Sequence, residues 1–326
     1  MVFLLRSCHC PLRALKSQGL HPTSAILPEK AGRVNPRRFP KGVVAWGCIT
    51  VLPRPPSAPH RQLMSHSFSE MMSGAAFDDG VLSLTIPPDW MQGRTTYGGL
   101  SAAICLETAR RVFPEAPPLR SAMVSFIGPA GGAVEGRAKL LRQGKSVTFV
   151  EAEVTGEKGI ATRCEFAFGA ARPSQWNRTF TPAPDVPAPE ECGSFGPPEE
   201  SPVSFARHFD ARLAKGGVPV SGSKDHDHFI WVRHRDEKAQ DIVALLALAD
   251  MPPPALMPMF TEFAPISSMT WMVNVLCDEP KTRDGWWLLE SRAEHAGAGY
   301  SSQDMLVWNR DGELVIAGRQ SVAIFA

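Results

Sequence analysis

Few side chains in this sequence stand in patterns that do chemistry. Seven cysteines are present, but Cys8, Cys10 and Cys48 fall in the first 63 residues, and Cys105, Cys164, Cys192 and Cys277 are far apart. With no Cys-x-x-Cys pair, neither a zinc ribbon nor a disulfide framework is indicated, and a reducing, cytoplasmic location is the expectation. Asp225-His226-Asp227-His228 sets two imidazoles two residues apart with no third ligand in the pattern. A solvated turn is therefore preferred to a metal site, and neither metal nor cofactor is expected. No Gly-x-Ser-x-Gly segment occurs, so hydrolysis by a serine nucleophile has no support. The informative residue is Gln320. In the run 313–325 it shares one period-2 face with Ile316, Gly318, Val322 and Ile324. Burying an amide on such a face costs roughly 1–3 kcal/mol unless it is hydrogen-bonded, so a partner must exist. Asp250 is the second residue of note, closing an apolar run just ahead of Pro252-Pro253-Pro254. On the residues alone it reads equally as a helix-ending aspartate.

Elements to hold these residues are legible as a repeat. Gly98-Gly99 opens a run, 100–106, that is apolar except for Ser101 and is followed at Pro114 by a stop. A helix with no polar face is one wrapped by other structure. Strand-like runs follow at 121–127, 134–141, 146–154 and 160–168, the last two joined by the turn Gly156-Glu157-Lys158-Gly159. The second half repeats the order. A short strand-like run, 229–232, precedes a helix over 241–250 that is apolar all round, and strands follow at 267–276, 286–295, 301–309 and 313–325. Arg310-Asp311-Gly312 is the hairpin turn between the last two. Each half is thus one buried helix followed by about four antiparallel strands, which a long sheet curled round a central helix satisfies with sequential strands paired and no crossovers. Superposing the halves puts Ser121-Ala122-Met123 over Ser267-Ser268-Met269, and Cys164 over Gln320.

Composition divides the chain further. Its 326 residues carry a net charge of +1, but residues 1–63 hold ten Lys or Arg against one acid, Glu29. Residues 64–326 hold the remaining 24 basic and 32 acidic groups, a net of −8. That balance argues against a nucleic-acid partner held by phosphate contacts. The proline-interrupted basic stretch reads as a disordered tail, with a start at Met64 preferred to a targeting segment. Residues 64–172 and 224–326 are the two repeats, and 173–223, rich in Pro, Glu, Gly and Ser, reads as their linker. The longest uncharged stretch, 263–277, is too short for the roughly 20 residues a membrane span needs.

At this level the sequence resembles the acyl-CoA thioesterase family of double-hotdog proteins, of the acyl-CoA thioesterase II type. Three segments carry the likeness: Gly93-Arg94-Thr95-Thr96-Tyr97-Gly98-Gly99; Ile230-Trp231-Val232-Arg233 with Leu246-Ala247-Leu248-Ala249-Asp250; and Gly299-Tyr300 through Asp311-Gly312 to Gln320. The resemblance implies an α+β double hotdog that hydrolyses acyl-CoA to CoA and a free acid without a metal or covalent intermediate. It implies that Asp250, Ser268 and Gln320 hold the attacking water. Ser stands at 268 where the family usually has Thr; Ser267 and Thr270, the latter placed on the same strand face as Ser268, are the alternatives. The backbone of Gly98 and Gly99 is the candidate for binding the substrate's developing oxyanion, since glycine permits close approach. His295 lacks the paired aspartate that hotdog hydratase chemistry needs. Two other readings remain open: an acyl-thioester binding protein that keeps the fold without the rate, and a structural assembly in which copies associate as homo-oligomers through the hotdog sheets.

Overall fold

The computed structural model describes residues 66–198 and 201–325. The basic stretch 1–63, its three cysteines and Met64 lie outside the described residues. In chain order the elements are α1 (Phe68–Ser73), β1 (Ala76–Asp78), β2 (Val81–Ile86), β3 (Met91–Gln92), β4 (Thr95–Thr96), α2 (Gly98–Val112), β5 (Leu119–Phe126), β6 (Gly132–Gln143), β7 (Val147–Gly156), β8 (Gly159–Gly169), β9 (Gly193–Ser194), β10 (Phe209–Gly216), β11 (Asp227–His234), α3 (Ile242–Ala249), β12 (Ile266–Val275), β13 (Trp287–Gly297), β14 (Tyr300–Asn309) and β15 (Leu314–Ile324).

The two helices behave as their composition requires. In α2 every residue from Leu100 to Leu106 is buried, as is every residue from Val243 to Ala249 in α3. Each leucine so enclosed contributes about 1.5–3 kcal/mol relative to exposure. Asp241 caps α3 by accepting from the Ala244 N–H (2.9 Å), and the prolines after Asp250 prevent its extension. The helices run antiparallel. The Arg110 guanidinium at the end of α2 donates to Asp241 at the start of α3 (2.9 Å), while the Tyr97 hydroxyl at the start of α2 donates to the Ala247 carbonyl in the last turn of α3. Opposite dipole ends thus meet at both places. Gly99 is what permits the second contact: a Cβ there would lie 2.3 Å from the Ala247 carbonyl oxygen.

Among the described residues thirteen strands form one antiparallel sheet in the order β1-β2-β6-β7-β8-β5-β12-β15-β14-β13-β11-β10-β9. The duplication is visible in it. β2, α2 and β5–β8 correspond to β11, α3 and β12–β15, and the halves meet where β5 pairs with β12, with Met123 opposite Met272. The molecule is a double hotdog.

Three expectations need correction. Strands do not all pair in sequence: β5 lies beside β8 and β12, not β6. Each helix carries the chain from one edge of its half-sheet to the other, so the strand that follows emerges at the seam between the halves. The stretch 173–223 is more than a connector, because β9 and β10 extend the sheet beyond β11 and the single turn at Ser204–His208 packs against the first half. Phe209, Ala211 and Leu213 alternate with Asp210 and Arg212, but the run lies within a proline- and glycine-rich stretch whose composition reads as a connector. Finally, Asp225-His226-Asp227-His228 is an exposed turn only in its first half, Asp225 and His226, whereas Asp227 opens β11. His228 lies in β11, fully buried, and burial pushes its imidazole down to about 4.

Replacing Gly99 with Ala would force α2 and α3 apart. The expected loss is about 1–3 kcal/mol in denaturant unfolding, the usual cost of overpacking; an unchanged midpoint would mean that the contact is not a constraint.

Candidate active site

Asp250 is where the two helices meet the sheet. As the residue ending α3 it has left-over helical geometry (φ −93°, ψ 4°), which turns its carboxyl toward the start of α2. There the Gly99 N–H, one of the donors that a helix start leaves unpaired, favours its ionised form. Gly98 is equally close: a Cβ on it would sit 2.8 Å from Asp250 Oδ2 and 3.1 Å from the Phe126 ring. From the sheet side, Gln320 of β15 donates from Nε2 to Asp250 Oδ1 (2.8 Å). This is the partner that a buried amide demanded. Burial raises the Asp250 carboxyl to about 7, against the two donated hydrogen bonds, which favour the ionised form and pull the other way. Tyr97 responds in turn, its phenol held well above its ordinary value by burial and by the Asp250 charge.

The pair opens on a cavity of about 560 Å³. Gly98, Asp250, Ser267, Ser268 and Gln320 all line it, whereas the Gly99 side of the helix start faces inward to Asp250 and Ala247. Ser268 is half-buried and Ser267 exposed. The alternative at Thr270 falls away for a geometric reason. A β-bulge between Ser268 and Thr270 puts Ser268 opposite Val322 and Thr270 opposite Ser321, so Thr270 lies on the outer face, not that of Ser268. Among the described residues Ser268 has no hydrogen bond to Asp250 or Gln320; it shares the cavity with them.

Three features of the site are not evident from the sequence pattern alone. Phe205, in the supposed linker, stacks on Tyr97 (ring centroids 4.0 Å apart, planes 4° apart) and closes one wall with Val203. Arg94 and Lys158, in the turns after β3 and β7, stand exposed at the rim with no acidic partner among the described residues. Gln303 of β14 lies directly across from Gln320 and donates from Nε2 to its Oε1 (3.1 Å), while its own Oε1 accepts from the Ala255 N–H (2.8 Å). The signal for Gln303 was present: it alternates with Ser301, Met305 and Val307 on the inward face of β14, the same argument that isolated Gln320.

Residues 86–169 match the acyl-CoA thioesterase N-terminal domain and residues 189–324 the acyl-CoA thioesterase C-terminal domain. The chain belongs to the acyl-CoA thioesterase family. Solved structures share its fold. A hotdog-fold protein of unknown function from Alicyclobacillus acidocaldarius is 24% identical, with a TM-score of 0.71 over 79% of this chain and 97% of that one. An acyl-CoA thioesterase II from Mycobacterium marinum is 16% identical, with a TM-score of 0.60 over 77% and 95%. The tesB protein of Mycobacterium avium subspecies paratuberculosis is 14% identical, with a TM-score of 0.63 over 78% and 97%. No curated protein matches the sequence. Membership of the thioesterase family makes thioester hydrolysis the general chemistry to be fitted to this cavity.

A buried carboxyl of raised affinity for its proton has a cost to the fold. Because its folded-state value of about 7 lies above the ordinary 3.8, the stability it contributes is complete below about pH 4 and is lost as the pH rises through 7. Asp250→Asn keeps the hydrogen-bonding shape without the charge. It is expected to raise Tm by several degrees at pH 8 and by progressively less toward pH 4; an equal Tm difference across that range would contradict the ionisation.

Proposed function

We propose that the protein hydrolyses acyl-CoA thioesters by direct attack of water, with Asp250 as general base. The observation that carries this reading is the 2.8 Å contact between Gln320 and Asp250 at the wall of the cavity, with the carboxyl pushed up to about 7. A base is most effective when its affinity for a proton lies near the working pH. Asp250 takes a proton as the water oxygen bonds to the thioester carbon. The tetrahedral oxyanion then collapses, the C–S bond breaks, and the proton passes from Asp250 to the leaving thiolate, giving CoA and the free acid. Gln320 and Ser268 hold the water, and the Gly98 N–H is the proposed oxyanion donor; Gly99 is already engaged with Asp250. Gln320 serves the water as a donor, because its oxygen is occupied by Gln303.

The acidic body offers no general attraction for CoA, so its phosphates need local cations. Arg94 and Lys158 at the rim supply them. The four described cysteines are free, which fits the proposed cytoplasmic location. Among the described residues no helix is long and apolar enough to cross a membrane. The exposed methionines Met123 and Met272, side by side on the outer face at the seam, are the proposed place for a second copy to pack. The reading of a binder without turnover draws on Ser268, which is hydrogen-bonded to neither Asp250 nor Gln320; acyl-CoA binding with no thiol release would favour it.

Asp250→Ala is expected to lower kcat for acyl-CoA by about 10²–10⁴-fold, the range for general-base catalysis, while the protein stays folded. Near-wild-type thiol release would remove Asp250 from the mechanism. Arg94→Ala and Lys158→Ala are each expected to raise KM by about two- to fivefold with kcat unchanged, the modest and salt-sensitive effect of an exposed charge. A KM for CoA esters that is insensitive to both changes and to salt would place the phosphates elsewhere.

A further inference from the structure

A glutamine amide fits its site either way round, and only its neighbours decide which end is the donor. In this core the decision traces back to one backbone group. The Ala255 N–H can only donate, so the Gln303 atom it meets at 2.8 Å is Oε1. Gln303 Nε2 therefore faces Gln320 (3.1 Å) and selects its Oε1. That leaves Gln320 Nε2 toward Asp250 (2.8 Å). Reversing either amide would set two oxygens or two N–H groups against each other. Both glutamines are buried, Gln303 at 1% exposure and Gln320 at 3%, so bulk water cannot repair a reversal. The relay is also closed on itself: Ala255 belongs to the turn that leaves Asp250 through the prolines, so base and partner are referenced to the same backbone.

We propose that Gln303 is a positioning residue for hydrolysis, holding the Gln320 amide with its N–H toward Asp250. It does not line the cavity and touches no substrate; it acts through Gln320. This role rests on the reading of Asp250 as the base. Without Gln303 the Gln320 amide is free to turn, and half of its orientations put an oxygen against the Asp250 carboxylate. The ionised form of Asp250 then loses a donor, so its titration moves to higher pH. Of the other titratable groups, Tyr97, whose hydroxyl is tied to the Ala247 carbonyl, is linked electrostatically to Asp250, and Arg94 and Lys158 line the rim of the same cavity. None is hydrogen-bonded to Gln303, whose side chain bonds the Ala255 N–H and Gln320, so a shift caused by its replacement is transmitted by the amide.

The test is Gln303→Met, neutral and of similar length, with two readouts. In steady-state thiol release from acyl-CoA, kcat should fall by about 10- to 100-fold with KM within about twofold of wild type, as for a displaced catalytic group. The acid limb of the pH profile should move upward. In carbon-13 NMR the Asp250 carboxyl, assigned by its absence in Asp250→Asn, should titrate at higher pH than in wild type. A folded Gln303→Met protein with wild-type kcat and wild-type Asp250 titration overturns the proposal. Should that variant fail to fold, Gln303→Asn keeps an amide in the core but is too short to reach Gln320, and the same readouts decide. If the wild-type protein releases no thiol from any acyl-CoA, the hydrolase reading fails, whereas the NMR titration still decides whether Gln303 orients the amide.

Discussion

The polar groups of the cavity are arranged around one contact between the two halves, the start of α2 against the end of α3. A helix start leaves N–H groups unpaired and a helix end leaves carbonyls unpaired. Here each end supplies what the other lacks: the Tyr97 hydroxyl donates to the Ala247 carbonyl, and the Gly99 N–H favours the ionised Asp250 carboxyl. The approach is so close that no side chain fits at position 99. Two buried helices lying antiparallel within one continuous sheet bring these ends together, and the sheet is continuous because β5 pairs with β12 across the duplication. The site is therefore a product of the fold's symmetry, although only one copy of it is furnished with a carboxyl–amide pair like Asp250 and Gln320.

The furnishing explains why the halves differ. At the position matching Gln320, the first half has Cys164, fully buried beside Cys105 and pushed upward by that burial. A thiol fills such a place with little demand for hydrogen bonds. An amide there requires a donor for its oxygen and an acceptor for its nitrogen, and the second half provides both, Gln303 on one side and Asp250 on the other. The opposing influences on Asp250 are balanced by the same arrangement. Burial alone would favour its neutral form; the Gln320 and Gly99 donors moderate this and leave the carboxyl able to exchange a proton near neutrality.

Much of this was legible in the sequence because it follows from periodicity. The helix over 241–250, the hairpins at Gly156–Gly159 and at Asp311-Gly312, and the demand of Gln320 for a partner all come from side-chain spacing, while Asp250 and Ser268 came from family resemblance. What escaped detection depends on contacts between distant segments. β10 alternates at Phe209, Ala211 and Leu213 but lies within a stretch of linker composition, the bulge that turns Thr270 outward leaves no mark in a period-2 count, and the charged residues before His228 mask the start of β11. Phe205 reached the cavity wall only through its stacking on Tyr97, more than 100 residues earlier in the chain. Gln303 was legible on its strand face, but its importance depends on standing opposite Gln320, which is a matter of register.

The central claim is that the Asp250 carboxyl, held by Gln320 and Gly99, is the group whose ionisation governs thioester hydrolysis. The most direct measurement follows that carboxyl by carbon-13 NMR in the wild-type protein and compares its midpoint with the acid limb of kcat for thiol release. The expected result is a midpoint near 7 that coincides with the limb. A midpoint near the ordinary 3.8, or a limb that falls elsewhere while Asp250 titrates near 7, would contradict it.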